Sequence, residues 1–202
     1  MTRTDVQLML DVKSGDEESF AILLQKYRSP MVNFLYRMVR DATAAEDLAQ
    51  EVFLRVYRAR KQYSPSAKFT TWLFRIATNL ALNSIRDNRH RQMDVSIDAP
   101  VEEDEVRVEL PAREMRIDEF MVERDRTAVI RRAIAALPEK QRAAVLLHKY
   151  EEMDYGEIAR ILDCSESALK SLLFRAYETL RVQLAPLMSQ PVAQPRGEGR
   201  PS

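Results

Sequence analysis

The stretch DYGEIARILDCSESALKSLLFRAYETLR, from Asp154 to Arg181, decides the architecture of this chain. Ile158, Ala159, Ile161 and Leu162 recur at helical spacing, so residues 154–162 read as a short amphipathic helix. Asp163-Cys164-Ser165 forms a turn, and Ser165 is a natural N-cap. A second helix follows, with Leu169, Leu173, Ala176 and Leu180 as its buried stripe. Ser167, Lys170, Ser171, Phe174 and Arg175 are left toward the other side. Two helices, a tight turn and a basic outer face make the pattern of a helix-turn-helix, whose second helix enters the major groove. There Lys and Arg bind guanine edges or phosphates, and Ser binds either. An ordinary αα-hairpin with a solvated face fits the same periodicity, because Lys170, Arg175 and Arg181 are set against Glu166 and Glu178.

Outward from this unit, helical spacing continues almost throughout. Phe20, Leu23, Leu24, Tyr27, Met31, Phe34, Leu35 and Met38 form one stripe. Ser29-Pro30 interrupts it and reads as an N-cap and first-turn proline that restart or kink the helix. Leu48, Val52 and Val56 form a second stripe, and residues 61–68, with Ser-Pro-Ser, read as a loop. A long helix is predicted over 69–91, with Phe69, Trp72, Leu73, Ile76 and Leu80 inward. Periodicity fails from Met93 to about Asp118, across Pro100, Glu102-Glu103-Asp104-Glu105 and Pro111. It resumes near Glu119. Val129, Ile130, Ile134 and Leu137 are expected on one packed face, and Pro138 opens a helix ending near Glu151. The expected fold is all-α. Two small helical domains, residues 1–92 and 119–185, are joined by a flexible acidic linker over 93–118. The tail 186–202 is expected to be disordered.

Composition removes several function classes. Cys164 is the only cysteine, so an internal disulfide and a cysteine-ligated zinc site are both excluded. His90 and His148 lie in different segments, so neither a metal nor a cofactor is expected. Only four glycines occur, against phosphate-cradling glycine loops. The start, Met1-Thr-Arg-Thr-Asp, lacks an apolar signal core, and no run of about eighteen apolar residues occurs. The expected location is cytoplasmic, without direct membrane insertion. Net charge is zero, but it is unevenly spread: +5 over residues 1–92, −8 over 93–125 and +3 over 126–202. Two basic blocks flank an acidic strip, which suits nucleic acid as a partner.

The helix from Phe69 carries a polar stripe at Arg75, Asn79, Asn83 and Arg86, whose spacing keeps them on one face. The preceding loop adds Tyr63 and Lys68. Cations, amides and aromatics together suit single-stranded or partly melted DNA. On spacing alone, Phe69 and Trp72 read as core. Two rival classes fit less well. A stand-alone operator-binding regulator leaves the residue pattern from Asp47 to Arg91 unexplained. A nuclease needs clustered carboxylates or a histidine site beside the basic helix, where Asp87 stands alone.

The assembled segments resemble a known family. Asp47-Leu-Ala-Gln-Glu-Val-Phe-Leu-Arg-Val-Tyr-Arg-Ala is similar to the region 2 helix of bacterial sigma factors. Phe69-Thr-Thr-Trp-Leu-Phe-Arg-Ile-Ala-Thr-Asn-Leu-Ala resembles the helix that opens the minus-10 element. Leu137-Pro-Glu-Lys-Gln-Arg, Asp154 to Leu162 and Leu169-Lys-Ser-Leu-Leu-Phe-Arg-Ala resemble region 4. Passage from region 2 to region 4 over a short linker is the layout of the extracytoplasmic-function (ECF) class of the sigma-70 family. The resemblance covers roughly residues 5–185. It implies a non-enzymatic subunit that binds core RNA polymerase, selects promoters and helps melt them, with no small-molecule substrate. It implies that Asp47, Gln50 and Glu51 dock on the β′ clamp helices, while region 4 meets the β flap. Lys68, Phe69, Thr70, Trp72, Arg75, Asn79, Asn83 and Arg86 are implied at the minus-10 strand. Ser167, Lys170, Ser171, Phe174 and Arg175 are implied at the minus-35 duplex. The acidic linker is implied to thread toward the enzyme's active centre. An anti-sigma factor, able to hold the chain at a membrane, is a partner common in the class. This sequence departs from many members at Leu172 and Tyr177, where a basic residue often stands.

Overall fold

A computed structural model of the chain describes residues 3–94 and 117–188. Eight α-helices and one short 3₁₀ turn make up the described residues, with no strand among them. The family of elements expected from periodicity is therefore present. The linker's residues 95–116 and the tail beyond 188 lie outside the described residues.

The first half is built from α1 (Asp5–Ser14), α2 (Glu17–Val39), α3 (Ala42–Arg58) and α4 (Phe69–Asp94). Helix α1 escaped the periodicity argument, although its start carries a local signal. Thr4 accepts from the Gln7 backbone N–H, and the Gln7 side chain accepts from Thr4 N–H, a complete capping box. Gly15 ends α1 in the left-handed region at φ 107°, where a side chain would be strained.

Helix α2 runs unbroken through Pro30, so Ser29-Pro30 neither restarts nor ends it. An interior proline costs about 3 kcal/mol. Tyr27, Met31, Phe34, Leu35 and Met38 are all buried along the same helix. At about 1.5–3 kcal/mol for each large apolar side chain, that burial outweighs the proline. Asp41 caps α3 by accepting from Ala44 N–H at 2.7 Å. Phe34 and Phe74 meet edge to face at 5.2 Å, locking α2 to α4. A 3₁₀ turn over Arg60–Gln62 opens the loop expected before α4.

The second half holds α5 (Ile117–Ala135), α6 (Glu139–Lys149), α7 (Tyr155–Leu162) and α8 (Glu166–Met188). Pro138 is the N-cap of α6, which stops at Lys149, short of Glu151. The packed face expected around α5 is half right. Ile134, and Leu137 just past the helix end, are buried as expected, but Val129 and Ile130 are exposed and Ala133 is buried. A count of large apolar residues passes over alanine, which nonetheless takes the inward position where helices approach closely. Helix α8 outlasts Arg181 and includes Pro186, because Leu184 still packs on the core. Helix α4 lies against α7, and α2 against α6, so the two halves touch.

Candidate nucleic-acid interface

The helix-turn-helix comprises α7, the turn Asp163–Ser165 and α8. Asp154 accepts from Glu157 N–H at 2.8 Å, and the Glu157 carboxylate accepts from Asp154 N–H at 3.2 Å. That capping box fixes the start of α7, and these hydrogen bonds hold the Asp154 carboxyl below its usual range. Asp163 closes α7 in the left-handed region at φ 51°. Ser165 then caps α8 by accepting from Ala168 N–H at 3.1 Å. Ile158, Leu162, Leu169 and Leu173 are buried between the two helices, as their spacing required.

On the outer face of α8, Ser167, Lys170, Ser171, Phe174 and Arg175 are all exposed. Phe174 shows 67% of its surface, an unusual state for a phenylalanine. Ser171 donates to Ser167 carbonyl oxygen and Arg175 to Ser171 carbonyl oxygen, bonds weak enough to yield to a base or phosphate. The two departures from the family are half-buried. Leu172 packs on the core, and the Tyr177 hydroxyl shares a 2.7 Å hydrogen bond with His148 Nδ1. Tyr155 adds an edge contact to the same imidazole at 5.3 Å, so the cluster joins α6, α7 and α8. Burial depresses the His148 pKa, with Lys149 adding to the effect.

The second surface is α4. Arg75, Asn79, Asn83 and Arg86 are exposed along one side, with Lys68 exposed in the loop before it. Thr70 and Trp72 are half-buried. Phe69 is 2% exposed and sits among Tyr27, Tyr63 and Trp72, with ring separations of 5.5, 6.5 and 6.2 Å. Its placement is that of a core residue supporting the loop, which agrees with its spacing and not with a base-stacking role. Beside α4, on α3, Asp47 and Gln50 are exposed, while Glu51 pairs with Arg55 at 2.7 Å. The Arg55 hydrogen bond lowers the Glu51 pKa and keeps that carboxylate charged. Gln50 borders an apolar groove of about 930 Å³ between α2 and α3, floored by Phe20, Leu24, Phe53 and Tyr57.

Two residues of this surface escaped the sequence reading. Thr71, on α4, is 4% exposed and donates its hydroxyl to Glu157 Oε1 at 3.0 Å. Glu157, on α7, is 5% exposed, and the same oxygen lies 3.2 Å from Lys68 Nζ. Their local signals, a helical threonine and a capping-box acid, point to nothing beyond their own turns. Among the described residues, no three His, Cys, Asp or Glu side chains gather as metal ligands, and no helix is long and apolar enough to cross a membrane.

Comparison with known proteins completes the picture. Residues 23–91 match Sigma-70 region 2, and residues 127–180 match Sigma-70, region 4. The chain is 34% identical to the RNA polymerase sigma-H factor of Pseudomonas aeruginosa, covering 92% of this chain and 96% of that one. It is 33% identical to the ECF RNA polymerase sigma factor SigW of Bacillus subtilis (87% and 94%). It is 31% identical to the ECF RNA polymerase sigma-E factor of Escherichia coli (92% and 96%). The fold is shared with CnrH, solved with the cytosolic domain of CnrY, at TM-score 0.63 and 19% identity over 89% of this chain and 96% of that one. It is also shared with the sigma factor RpoE of Bartonella quintana, solved with the anti-sigma factor NepR, at 0.65 and 22% over 83% and 98%. The chain belongs to the ECF class of the sigma-70 family of RNA polymerase sigma factors. It is thus a transcription initiation factor that directs RNA polymerase to promoters.

Proposed function

We propose that this sigma factor works by binding alone, through four contacts made by two domains, residues 1–92 and 119–185, linked by the acidic segment 93–118. The exposed α8 face, Ser167, Lys170, Ser171, Phe174 and Arg175, reads the minus-35 duplex and sets the position. The polar side of α4, Arg75, Asn79, Asn83 and Arg86, with Lys68, Thr70 and Trp72, takes up the unstacked minus-10 strand. Capture of those bases makes melting favourable, since each base removed from the duplex gains a stacking or hydrogen-bonding partner. Asp47, Gln50 and Glu51 meet the polymerase β′ clamp helices, with the adjacent apolar groove accepting side chains from that partner. Region 4 meets the β flap.

The observation that carries this reading is the exposure of four polar α4 residues, Arg75, Asn79, Asn83 and Arg86, on one side of a helix otherwise buried by its own apolar stripe. A packing helix has no use for an exposed row of arginines and asparagines, of which only Arg86 has an ion-pair partner among the described residues, the adjacent Asp87 at 3.7 Å. We place the protein in the cytoplasm, under the control of an anti-sigma factor, a reading supported by the fold it shares with the sigma factor RpoE solved with the anti-sigma factor NepR.

Reconstitution tests the division of labour. The chain is added to core polymerase from its own cell, and run-off transcripts are mapped on genomic fragments. Asn79→Ala with Asn83→Ala is expected to leave closed-complex formation intact and to slow opening, read by permanganate reactivity of melted thymines. Equal opening by this variant refutes the assignment of α4. A chain that neither binds core polymerase nor gives it promoter preference refutes the whole proposal.

A further inference from the structure

Glu157 divides its carboxylate between two tasks. Oε2 accepts from Asp154 N–H and completes the cap of α7. Oε1 leaves its own domain. It accepts from the Thr71 hydroxyl at 3.0 Å and lies 3.2 Å from the Lys68 ammonium, both at the start of α4. Glu157 and Thr71 are buried, so this oxygen has exchanged water for the two donors.

A hydroxyl and an ammonium converging on one anionic oxygen is also how proteins take hold of a phosphodiester oxygen. Lys68 belongs to the strand-capturing surface proposed above, and the present inference rests on that reading. We infer that Glu157 is an internal stand-in for a DNA phosphate: it closes the chain by occupying Lys68 and Thr71, so that α7 and the melted strand compete for the same donors. The ligand of the opened site is a backbone phosphate of single-stranded DNA. Thr71 thereby joins the strand-binding residues, and region 4 holds region 2 shut until a partner draws them apart.

The rest of the contact between halves fits a clasp of this kind. Arg142 donates to the Met38 carbonyl oxygen, Arg37 stacks over the Tyr150 ring at 4.3 Å, and Arg89 pairs with Glu139. All three are surface or part-buried contacts, and none engages Lys68 or Thr71. Glu157 is the one buried charge that crosses between the halves among the described residues. It offers the most specific point at which to open them.

The charge of Glu157 is dispensable for the cap, because glutamine serves the same position in a capping box. Glu157→Gln therefore leaves α7 in place while removing the anion from Lys68 and weakening the bond from Thr71. The test uses the full chain labelled at Cys164 and at a cysteine replacing exposed Lys61, with energy transfer reporting the distance between halves. A short fluorescein-labelled single-stranded oligodeoxynucleotide, titrated by anisotropy in separate unlabelled samples, reports access to the strand site. Glu157→Gln is expected to shift the closed-to-open ratio roughly tenfold toward open and to tighten oligonucleotide binding by a similar factor. Thr71→Val is expected to open the chain without tightening binding, because it removes a donor that the strand also needs. Unchanged energy transfer in both variants, with far-UV circular dichroism unchanged, overturns the clasp. Reduced transfer in both, with oligonucleotide binding unaltered by Glu157→Gln, leaves the clasp standing and refutes the strand-site reading instead.

Discussion

Glu151 gives the chain a pH dependence whose sign and size follow from its surroundings. It comes just after α6, beside Tyr150, whose ring lies under Arg37 of the other half. Burial raises its carboxyl pKa from 4.5 to about 7, and the Arg37 charge offsets only part of that. A pKa raised on folding means that the folded chain holds a proton the unfolded chain has already lost. The stability associated with this group is thus complete below about pH 4.5 and is lost as pH rises toward 7. A shift of this size corresponds to roughly 3 kcal/mol at 1.36 kcal/mol per pKa unit, and solvent contact with the half-buried side chain reduces it to about 2–3 kcal/mol. Glu151→Gln cannot ionise. It should match the parent protein at about pH 4 and exceed it by that amount at about pH 8. Urea unfolding across this range measures the difference, followed by far-UV circular dichroism and by the fluorescence of Trp72, the single tryptophan. Taking the difference between the two proteins removes the opposite trend of His148, whose depressed pKa makes stability fall on acidification. It also removes Asp16, Glu51 and Asp154, whose lowered values act in the acid range. A gap between parent and variant that stays constant from pH 4 to pH 8 refutes the reasoning.

Asp154→Ala removes the side-chain half of the α7 capping box and should cost about 1–2 kcal/mol in thermal or urea melts, while Asp154→Asn should recover most of it. Removing the Tyr177 hydroxyl as Tyr177→Phe leaves His148 Nδ1 without its partner, for an expected loss of about 1 kcal/mol and a His148 resonance shifted in NMR titration. With holoenzyme on promoter duplex, Lys170→Ala and Arg175→Ala should each weaken binding and lower the slope of log affinity against log salt by about 0.9 where the lost contact is to a phosphate. An unchanged slope assigns that side chain to a base edge.

What could be read from the residues divides along physical lines. Elements with a one-sided apolar stripe were legible, because helix burial imposes a 3.6-residue period whatever the partner. That holds for α7 and α8, where Ile158, Leu162, Leu169 and Leu173 are buried together. Helix α1 was missed because its amphipathic signal is weak, although Leu8, Met9 and Val12 are buried. Pro30 does not restart the helix, because its cost is local, whereas the burial that exceeds it comes from the helices packed on α2. The polar row on α4 was legible as a row, since the spacing of Arg75, Asn79, Asn83 and Arg86 keeps them on one helix face. Phe69 drew two readings, core by its spacing and minus-10 strand by the family resemblance, and the rings of Tyr27 and Tyr63 around it agree with the spacing.

Glu157 shows why such a reading stops where it does. Three residues after Asp154, an acid at this position is fully accounted for by the helix start, and nothing local remains to be explained. Yet the cap uses one oxygen, and would accept glutamine as readily. The second oxygen is buried, and a buried anionic oxygen must find donors or give up its charge. Its donors, Lys68 and Thr71, lie 89 and 86 residues away. No periodicity or capping rule spans that distance, because the pairing depends on how two domains meet. The negative charge, surplus to the cap, is what the contact between domains requires. A residue whose local duty leaves part of its chemistry unspent is therefore the place to look for a contact that sequence periods do not reach.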